Sequence, residues 1–163
     1  MKLSAQEEYG IRCLLQVASR EGPDPAQITD IAAAEGLSPE YTAKLMRVLR
    51  QGGLVVSTRG AAGGYRLARP ASEITLQQAI EVLDGPLFTD AFCQSHAGQT
   101  PNCVHRPTDC SIRTLWRWVG GALSGVLAQI TLAHLLDGPR TVGARLTQVG
   151  AQTPVRMIGT EST

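Results

Sequence analysis

The first 20 residues carry apolar side chains at a spacing of three to four. One face of a helix collects Ile11, Leu14, Leu15 and Ala18. Ser4 and Glu7 precede them at the spacing of a capping box, in which a hydroxyl and a carboxylate each satisfy a free backbone amide. The glycine and two prolines of EGPDP, residues 21–25, then end the element. The pattern predicts an N-terminal amphipathic helix.

Residues 28–53 predict two further helices joined by a tight turn. The first runs from about Thr29 or Asp30 to Glu35, and Gly36 suits the left-handed position after a helix end. Ser38 can cap the second helix, with Pro39 at the first helical position, where its missing amide costs nothing. The buried stripe of this helix consists of Tyr41, Leu45, Val48 and Leu49. Such a pair is typical of a helix-turn-helix, although the pattern alone has low specificity.

The next stretch, LVVSTRGAAGGYRLAR at residues 54–69, predicts a two-stranded hairpin. Val55 and Val56 are β-branched, and Tyr65 and Leu67 alternate with other residues. The turn between the strands contains Gly60, Gly63 and Gly64. A helix-turn-helix followed by a hairpin predicts a winged helix.

Two more helices are predicted downstream. Thr75 and Gln78 form a second capping box, and Gly85 ends that helix. The last helix has an apolar seam with a period near 3.5: Ile112, Leu115, Val119, Leu123, Val126 and Ile130. Such a helix spans about 20 residues or roughly 30 Å. Its seam needs a partner, either a second copy of the chain or an intramolecular core.

Composition and charge narrow the function classes. The chain has 163 residues, of which 43% are hydrophobic, and a formal net charge of +1. Residues 37–69 depart from this balance, because they hold six basic residues and one acid, the local charge expected of a protein that contacts a phosphate backbone. No apolar run approaches the roughly 20 residues of a membrane span, and the polar start predicts no secretory signal. We therefore expect a cytoplasmic protein with no membrane partner.

Three cysteines lie in a polar stretch between predicted helices, at Cys93, Cys103 and Cys110. In a reducing cytosol such thiols favour metal binding over disulfides. Three crowded thiolates repel one another unless a cation holds them, so a metal or an iron–sulfur cluster would also order this loop. Cys13 differs, because its neighbours on the first helix are apolar, and we interpret it as a core residue.

The chain resembles the family of winged-helix iron–sulfur regulators typified by IscR and NsrR. The matching segments, in order, are EEYGIRCLLQVA, LSPEYTAKLMRVLRQGGLVVSTRGAAGGYRLAR, ITLQQAIEVLDGPL, the three loop cysteines, LWRWV and ITLAHLL. The resemblance covers residues 1 to about 137. It implies a homodimeric bacterial transcription factor, acting as a repressor and not as an enzyme. Such a factor senses redox, iron–sulfur or nitric oxide status through its cluster.

The resemblance also implies the cluster ligands. Three of them are Cys93, Cys103 and Cys110. A histidine three residues after the last cysteine is the fourth ligand in one subgroup, but Arg113 stands there and cannot bind iron. Other members use an acid from the first helix of the partner subunit, and Glu8 occupies the matching position. The alternatives for the fourth ligand are Glu7, His96 and His105. Of the two cluster types found in such proteins, 2Fe–2S is favoured and 4Fe–4S is possible.

These observations predict a mostly α fold with four parts. A winged helix-turn-helix DNA-binding domain with a two-stranded wing occupies residues 1–86, and a cluster-binding loop occupies residues 87–110. A long C-terminal dimerisation helix spans residues 111–137, and a flexible tail, short, polar and rich in threonine, follows over residues 138–163.

The DNA hypothesis places the helix from Ser38 to Arg50 in the major groove of a palindromic operator, one helix from each subunit. Glu40 suits a cytosine amino group, or it is a first-turn acid favoured by the helix dipole. Arg59 in the wing suits a narrow minor groove. The residues expected to contact double-stranded DNA are Ser38, Pro39, Glu40, Tyr41, Lys44, Arg47, Arg59, Gly60, Gly63, Gly64 and Tyr65.

Other uses of the thiols stay open. One is a winged-helix repressor with a structural zinc, bound by the same cysteines with His96 or His105. Another is a cluster-free thiol redox switch. A thiol enzyme or redox relay built on Cys103 and His105 is disfavoured, because nothing in the sequence supplies the third group that would orient the base.

Overall fold

The computed structural model describes residues 4–20, 24–60, 63–88 and 110–152, with the backbone alone for the last two. The elements in chain order are α1 (Ala5–Ala18), α2 (Ile28–Glu35), α3 (Pro39–Gln51), β1 (Val55–Thr58), β2 (Gly64–Leu67), a 3-10 turn (Ala71–Glu73), α4 (Leu76–Asp84), α5 (Ser111–Leu127), α6 (Leu132–Leu136) and α7 (Pro139–Gln152). The predicted fold class, mostly helical with a two-stranded wing, is confirmed.

Helix α1 begins at the predicted capping box. Ser4 Oγ accepts a hydrogen bond from Glu7 N at 3.1 Å, and a carboxylate oxygen of Glu7 accepts one from Ser4 N at 2.6 Å. The helix buries Cys13 completely, which confirms its assignment to the core. Burial raises the pKa of the Cys13 thiol to about 11, and the negative charge of Glu35 adds to this shift.

The predicted helix-turn-helix is formed by α2 and α3. α2 begins at Ile28, slightly earlier than predicted, and ends at Glu35. The next residue, Gly36, has the expected left-handed backbone with φ of 65°. Ser38 Oγ caps α3 by accepting a hydrogen bond from Tyr41 N at 3.2 Å. Pro39 occupies the first turn. These local signals were readable from the sequence because each depends on a single residue type at a helix end.

The wing consists of β1 and β2 in antiparallel register, with Val55 opposite Leu67 and Thr58 opposite Gly64. β2 has a further neighbour that the sequence did not reveal. Tyr65 and Ala26 exchange two backbone hydrogen bonds of 2.8 Å, which tie the wing to the segment before α2. The wing is therefore attached to the helix-turn-helix along its outer strand.

Among the described residues, a buried cluster joins the winged-helix elements to the segment that follows α5. Its fully buried members include Leu14, Leu45, Leu49, Ile74 and Leu132. α1 packs against α2, α3 and α4, so it lies at the centre of this arrangement. Leu132 comes from the far end of the chain, so the last third of the protein returns to the core of the first.

The predicted long helix over residues 111–137 is divided in the structure. α5 ends at Leu127, the chain turns at Ala128 and Gln129, and Thr131 caps the separate helix α6. Ile130 was assigned to the seam of the long helix, but it is buried in the core with 2% of its surface exposed. The periodicity misled here because a buried residue just past a helix end can continue the apolar spacing by chance.

The prediction of a flexible tail from residue 138 is wrong for residues 139–152, which form α7. Gly138 has a positive φ of 98°, and Pro139 starts the new helix in the position where proline is favoured. Val149 is buried, and Arg145 Nε donates a hydrogen bond to the Gln129 carbonyl at 3.4 Å. The polar, threonine-rich composition of this segment suggested a flexible tail, but proline at a first helical position is also a helix-start signal. Residues 153–163 lie outside the described residues.

Candidate DNA-binding surface and metal centre

The outer face of α3 carries the charged residues that the sequence assigned to DNA. Glu40, Lys44 and Arg47 are exposed, and their spacing of four and three places them on one side of the helix. The other side is fixed in the core by Leu45 and Leu49, both fully buried. α3 thus presents a polar face from a firmly packed helix, as insertion into a major groove requires.

Residues in the first turn of α3 combine predicted DNA contacts with structural roles. Ser38 and Pro39 are exposed, but Ser38 Oγ already caps the helix. Tyr41 is half-buried, and its ring meets the ring of Tyr9 edge to face, with centroids 6.2 Å apart and planes at 83°. That contact is worth about 1 kcal/mol beyond the area it buries. It fixes the start of α3 against α1.

α1 also holds the other helix of the pair. Glu35, the last residue of α2, receives Arg12 Nε on one carboxylate oxygen and Gln16 Nε2 on the other, both at 2.6 Å. The Arg12 guanidinium lies 5.5 Å from the centre of the Tyr9 ring. One stripe of α1 therefore braces both helices of the helix-turn-helix, which the sequence pattern alone did not indicate.

Glycines in the wing are required by contacts within the chain. A Cβ on Gly64 would lie 2.5 Å from the Ala26 carbonyl oxygen, and one on Gly63 would lie 2.6 Å from the Thr58 carbonyl oxygen. Gly60 is exposed with φ of 114°, a backbone conformation that favours glycine. Tyr65 is half-buried beside the same strand pairing. The sequence explained these glycines by approach to DNA, whereas the structure shows a folding requirement at Gly63 and Gly64.

A groove of about 330 Å³ separates the wing from the start of α2. Its walls include the hydroxyl residues Thr29, Ser57 and Thr58. Hydroxyls and backbone amides are frequent phosphate donors in protein–DNA complexes. The sequence pattern does not indicate this groove, because the long-range pairing of Tyr65 with Ala26 brings its two walls together.

The basic residues of this region are available for phosphates. Lys44, Arg47, Arg50, Arg59 and Arg66 are exposed. Within the described parts of the chain, the two ion pairs join Arg12 to Glu35 and Arg20 to Asp30, so neither uses these five. Arg69 differs, because it donates to Gln78 Oε1 at 2.9 Å.

The four predicted cluster ligands are only partly described. Cys110 is half-buried with a free thiol at the N-cap of α5, and Glu8 is exposed on α1. Glu7, an alternative to Glu8, is 6% exposed and already accepts the Ser4 amide. Among the residues that the structure describes, no three metal-binding side chains form a group. The predicted ligands Cys93 and Cys103 lie outside the described residues, as do the alternatives His96 and His105.

The apolar face of α5 is largely uncovered. Ile112, Leu115 and Trp116 are 61%, 54% and 44% exposed, and no residue of α5 is buried. α5 approaches its own chain at Gly120, where a Cβ would lie 2.9 Å from Phe88 Cβ. Further along the seam Val119, Leu123 and Val126 are half-buried, so the exposed apolar surface is concentrated in the first turns of α5.

Comparison with known protein families now decides the class of this chain. A family model named Rrf2, with the description iron-dependent transcriptional regulator, matches residues 3–138. The chain belongs to the Rrf2 family.

Relatives of this Rrf2-family chain are similar over most of their length. It is 37% identical over 139 residues to Protein rrf2 of Nitratidesulfovibrio vulgaris, which covers 83% of this chain and 87% of that protein. It is also 37% identical to the HTH-type transcriptional regulator IscR of Serratia proteamaculans, over 84% of this chain and 80% of that one. Among solved structures, CymR of B. subtilis, the global cysteine regulator, matches with a TM-score of 0.65 and 32% identity, over 83% and 95% of the two chains.

Membership of the Rrf2 family settles the class of function. Transcriptional regulators of this family bind DNA and are not enzymes, which confirms the two corresponding expectations. In the described part of this Rrf2-family chain, no helix is both long and apolar enough to cross a membrane. α7 begins at the residue after the family match ends, so it is an addition to the matched region.

Proposed function

We propose that this Rrf2-family regulator is a cytoplasmic homodimeric repressor whose affinity for a palindromic operator depends on an iron–sulfur cluster. The observation that carries the DNA mode is the exposed charged face of α3, beside a wing that presents Arg59. α3 enters the major groove, where Glu40, Lys44 and Arg47 lie on the side facing the bases and phosphates. Arg59 and Gly60 approach the neighbouring minor groove.

The dimer is supported by the uncovered face of α5. Three large apolar side chains within five residues, Ile112, Leu115 and Trp116, are about half exposed. Contiguous apolar surface of this kind marks an interaction site, and tryptophan is enriched at the energetic centres of interfaces. A second copy of α5 offers the same surface, and a two-fold axis between the copies would present two recognition helices to a palindrome.

The residues fit an iron–sulfur cluster by their chemistry. Cys110 has a free, half-buried thiol at the start of α5, and Glu8 has an exposed carboxylate that takes part in neither ion pair of the described chain. With Cys93 and Cys103 they supply three soft thiolates and one hard, exchangeable oxygen. A cluster at these ligands, of the 2Fe–2S type in preference to 4Fe–4S, supplies redox chemistry. We propose that the protein reads redox, iron–sulfur or nitric oxide status in this way.

A second candidate is a cluster-free thiol switch. It is favoured by Cys110, whose half-buried thiol is free and lies at the start of α5. The similarity to CymR, described as a global cysteine regulator, points the same way. A structural zinc bound by the same cysteines is the third possibility.

The proposal is tested on protein purified without oxygen. We expect a coloured protein with iron and acid-labile sulfide, and a Glu8→Ala variant that holds its cluster less firmly while Glu81→Ala, another exposed acid, behaves as wild type. Operator affinity is then compared between cluster-loaded and cluster-free forms at fixed salt, on a duplex selected by the protein from random DNA. Colourless protein containing zinc would replace the cluster with a structural metal. Metal-free protein whose affinity responds to thiol oxidation would support the switch.

The role of Arg59 is tested on the same duplex. Arg59→Ala should lower affinity by about 1–3 kcal/mol if the side chain reads a groove. Arg140→Ala on α7, which is also exposed, removes an equal charge far along the chain from the wing and is the matched control. Equal affinities for Arg59→Ala and wild type would remove Arg59 from the interface.

A further inference from the structure

The tripeptide Ile-Thr-Leu occurs twice in the chain, at residues 74–76 and 130–132, and each copy leads into a helix. The two copies lie side by side and antiparallel, with Thr75 opposite Thr131. Leu76 N donates to the Ile130 carbonyl at 2.7 Å, and Leu132 N donates to the Ile74 carbonyl at 3.0 Å. The hydrogen bonds are reciprocal, so the pair has local two-fold symmetry. We name it the Ile-Thr-Leu bridge.

Each threonine of the bridge also caps its helix. Thr75 Oγ1 accepts from Gln78 N at 3.2 Å, and Gln78 Oε1 accepts from Thr75 N at 3.1 Å. In the second copy, Thr131 Oγ1 accepts from His134 N at 3.4 Å, and His134 Nδ1 accepts from Thr131 N at 3.1 Å. The two capping boxes start α4 and α6 from the same point, so the bridge fixes where both helices begin.

The bridge is anchored in the core. Ile74 and Leu132 are fully buried, and Ile130 is 2% exposed. Removing apolar side chains of this size from water is a major favourable contribution to folding. The bridge is therefore part of the hydrophobic core and not a surface contact between two turns.

The bridge brings together two segments that are separated in sequence by α4 and by residues 85–129. We name residues 85–129 the arm. The arm leaves the end of α4, contains the cysteine segment and α5, and returns at Ile130. It is attached to α4 at both ends. The bridge holds the start of α4, and Phe88, just past the end of α4, lies against α5 so closely that a Cβ on Gly120 would be 2.9 Å from its Cβ.

α4 in turn contacts the end of the recognition helix α3 and the helix α1 that braces it. At the end of α3, a Cβ on Gly52 would lie 2.3 Å from a methyl group of Val82. On α1, a Cβ on Gly10 would lie 2.3 Å from a methyl group of Leu83. Both are contacts of helix backbone with a side chain of α4. A shift of α4 therefore cannot occur without moving α1 or the end of α3, because packed interiors do not compress.

We propose that α4 transmits the state of the arm to the recognition helix, and that Thr131 and His134 are positioning residues that couple the arm to α4. This inference rests on the proposed function, in which the arm binds a cluster that alters DNA affinity. The coupling is expressed as the ratio of operator affinities of the cluster-loaded and cluster-free forms. A wild-type ratio of about 10 lies within the range typical of allosteric coupling.

The test weakens the bridge without touching a predicted ligand or DNA contact. Thr131→Val removes the cap with little change of shape, and His134→Ala removes its reciprocal acceptor. His134→Gln is the conservative variant, because Gln78 fills the same role in the other copy. Thr147→Val on α7 is the matched control, since among the described residues its hydroxyl donates to the exposed carbonyl of Gly143 within the same helix.

We expect the affinity ratio to fall at least about threefold in Thr131→Val and His134→Ala, and to keep its wild-type value in His134→Gln and Thr147→Val. Cluster content and the affinity of the cluster-free form should stay unchanged, which a general loss of folding would not allow. Hydrogen exchange of the Leu76 and Leu132 amides should accelerate in the two weakened variants. If Thr131→Val fails to fold, the comparison of His134→Ala with His134→Gln tests the coupling by itself.

The outcomes distinguish failure of the proposed coupling through α4 from failure of the proposed sensing function. A wild-type ratio of 1 overturns the sensing function and the coupling together. A wild-type ratio near 10 that survives both weakened variants overturns the coupling alone. A ratio that falls equally in His134→Ala and His134→Gln also contradicts it, because the capping acceptor would then not be the cause.

Discussion

Replacing Gly52 with alanine is expected to destabilise the protein through one contact between α3 and α4. Gly52 follows the last residue of α3 with φ of −79° and ψ of 2°, so alanine there meets no positive-φ strain. A Cβ at this position would lie 2.3 and 2.4 Å from the two methyl groups of Val82 and 2.9 Å from its Cβ. To remove this overlap, the end of α3 and the Val82 side chain must move apart by about 1 Å, because ordinary carbon–carbon contacts begin near 3.5 Å. Valine is stiff about χ1 in a helix, so rotation does not provide it.

The magnitude follows from two opposing effects. Overpacking of this kind costs about 1–3 kcal/mol. Replacing glycine by alanine at a compatible backbone conformation gains about 0.4–1 kcal/mol, because the unfolded chain loses freedom. The net expectation is a loss of about 1–2 kcal/mol in the free energy of unfolding. For a chain of this size the corresponding fall in Tm is about 2–8 °C.

Urea denaturation of Gly52→Ala, Val82→Ala and the double variant measures the effect as a cycle. The double variant should recover about 1 kcal/mol relative to the sum of the single changes, because alanine at 82 lacks both clashing methyl groups. Gly121→Ala is the control, since a Cβ there meets nothing within 4 Å and should stabilise α5 by about 1 kcal/mol. Additive single changes, or a Gly52→Ala variant as stable as wild type, would refute the reasoning.

Three further predictions concern stability and assembly. Burial raises the pKa of the Cys13 thiol from 9.0 to about 11, so the thiol of the unfolded chain ionises at lower pH than that of the folded chain. The free energy of unfolding should therefore fall by about 2–3 kcal/mol between about pH 9 and pH 11. Cys13→Ala should reduce this pH dependence, and an unchanged dependence would contradict the burial argument. Thr42 Oγ1 is buried without a hydrogen-bond partner among the described residues, so Thr42→Val should raise stability to urea by about 1 kcal/mol, and a loss would show that the hydroxyl is satisfied. Trp116→Ser should weaken the proposed dimer by about thirtyfold or more in sedimentation experiments, with Gln148→Ser as control; an unchanged dimer constant would place the interface elsewhere.

Local signals let the sequence predict several elements correctly. Ser4 with Glu7, and Thr75 with Gln78, cap α1 and α4 as their spacing indicated, and Gly36 ends α2 with the expected backbone. Each of these features depends on atoms within four residues of one another. The charged face of α3 was readable for the same reason, since helical periodicity alone places Lys44 and Arg47 together.

Local patterns failed where a distant contact decided the outcome. Ile130 continues the seam of α5 in sequence, yet it is drawn into the core by its bridge to Ile74–Leu76. The segment after Gly138 resembled a polar tail, but Val149 is buried and α7 forms. For the predicted fourth cluster ligand, the resemblance favours Glu8 over Glu7, and in the structure Glu7 accepts the Ser4 amide in its capping box. Cluster ligation itself stays a prediction.

The sequence by itself determined the helix caps, the winged helix-turn-helix and, through its resemblance, the regulator family, because these depend on short-range spacing and residue type. The tertiary structure alone decided how the parts are connected: α1 braces both reading helices, Ala26 holds the wing, and the two Ile-Thr-Leu copies close the arm on α4. Those contacts join residues as many as 58 positions apart, as in the Leu132–Ile74 hydrogen bond. Periodicity contains no information about such pairs, since only burial and backbone hydrogen bonding in three dimensions select them.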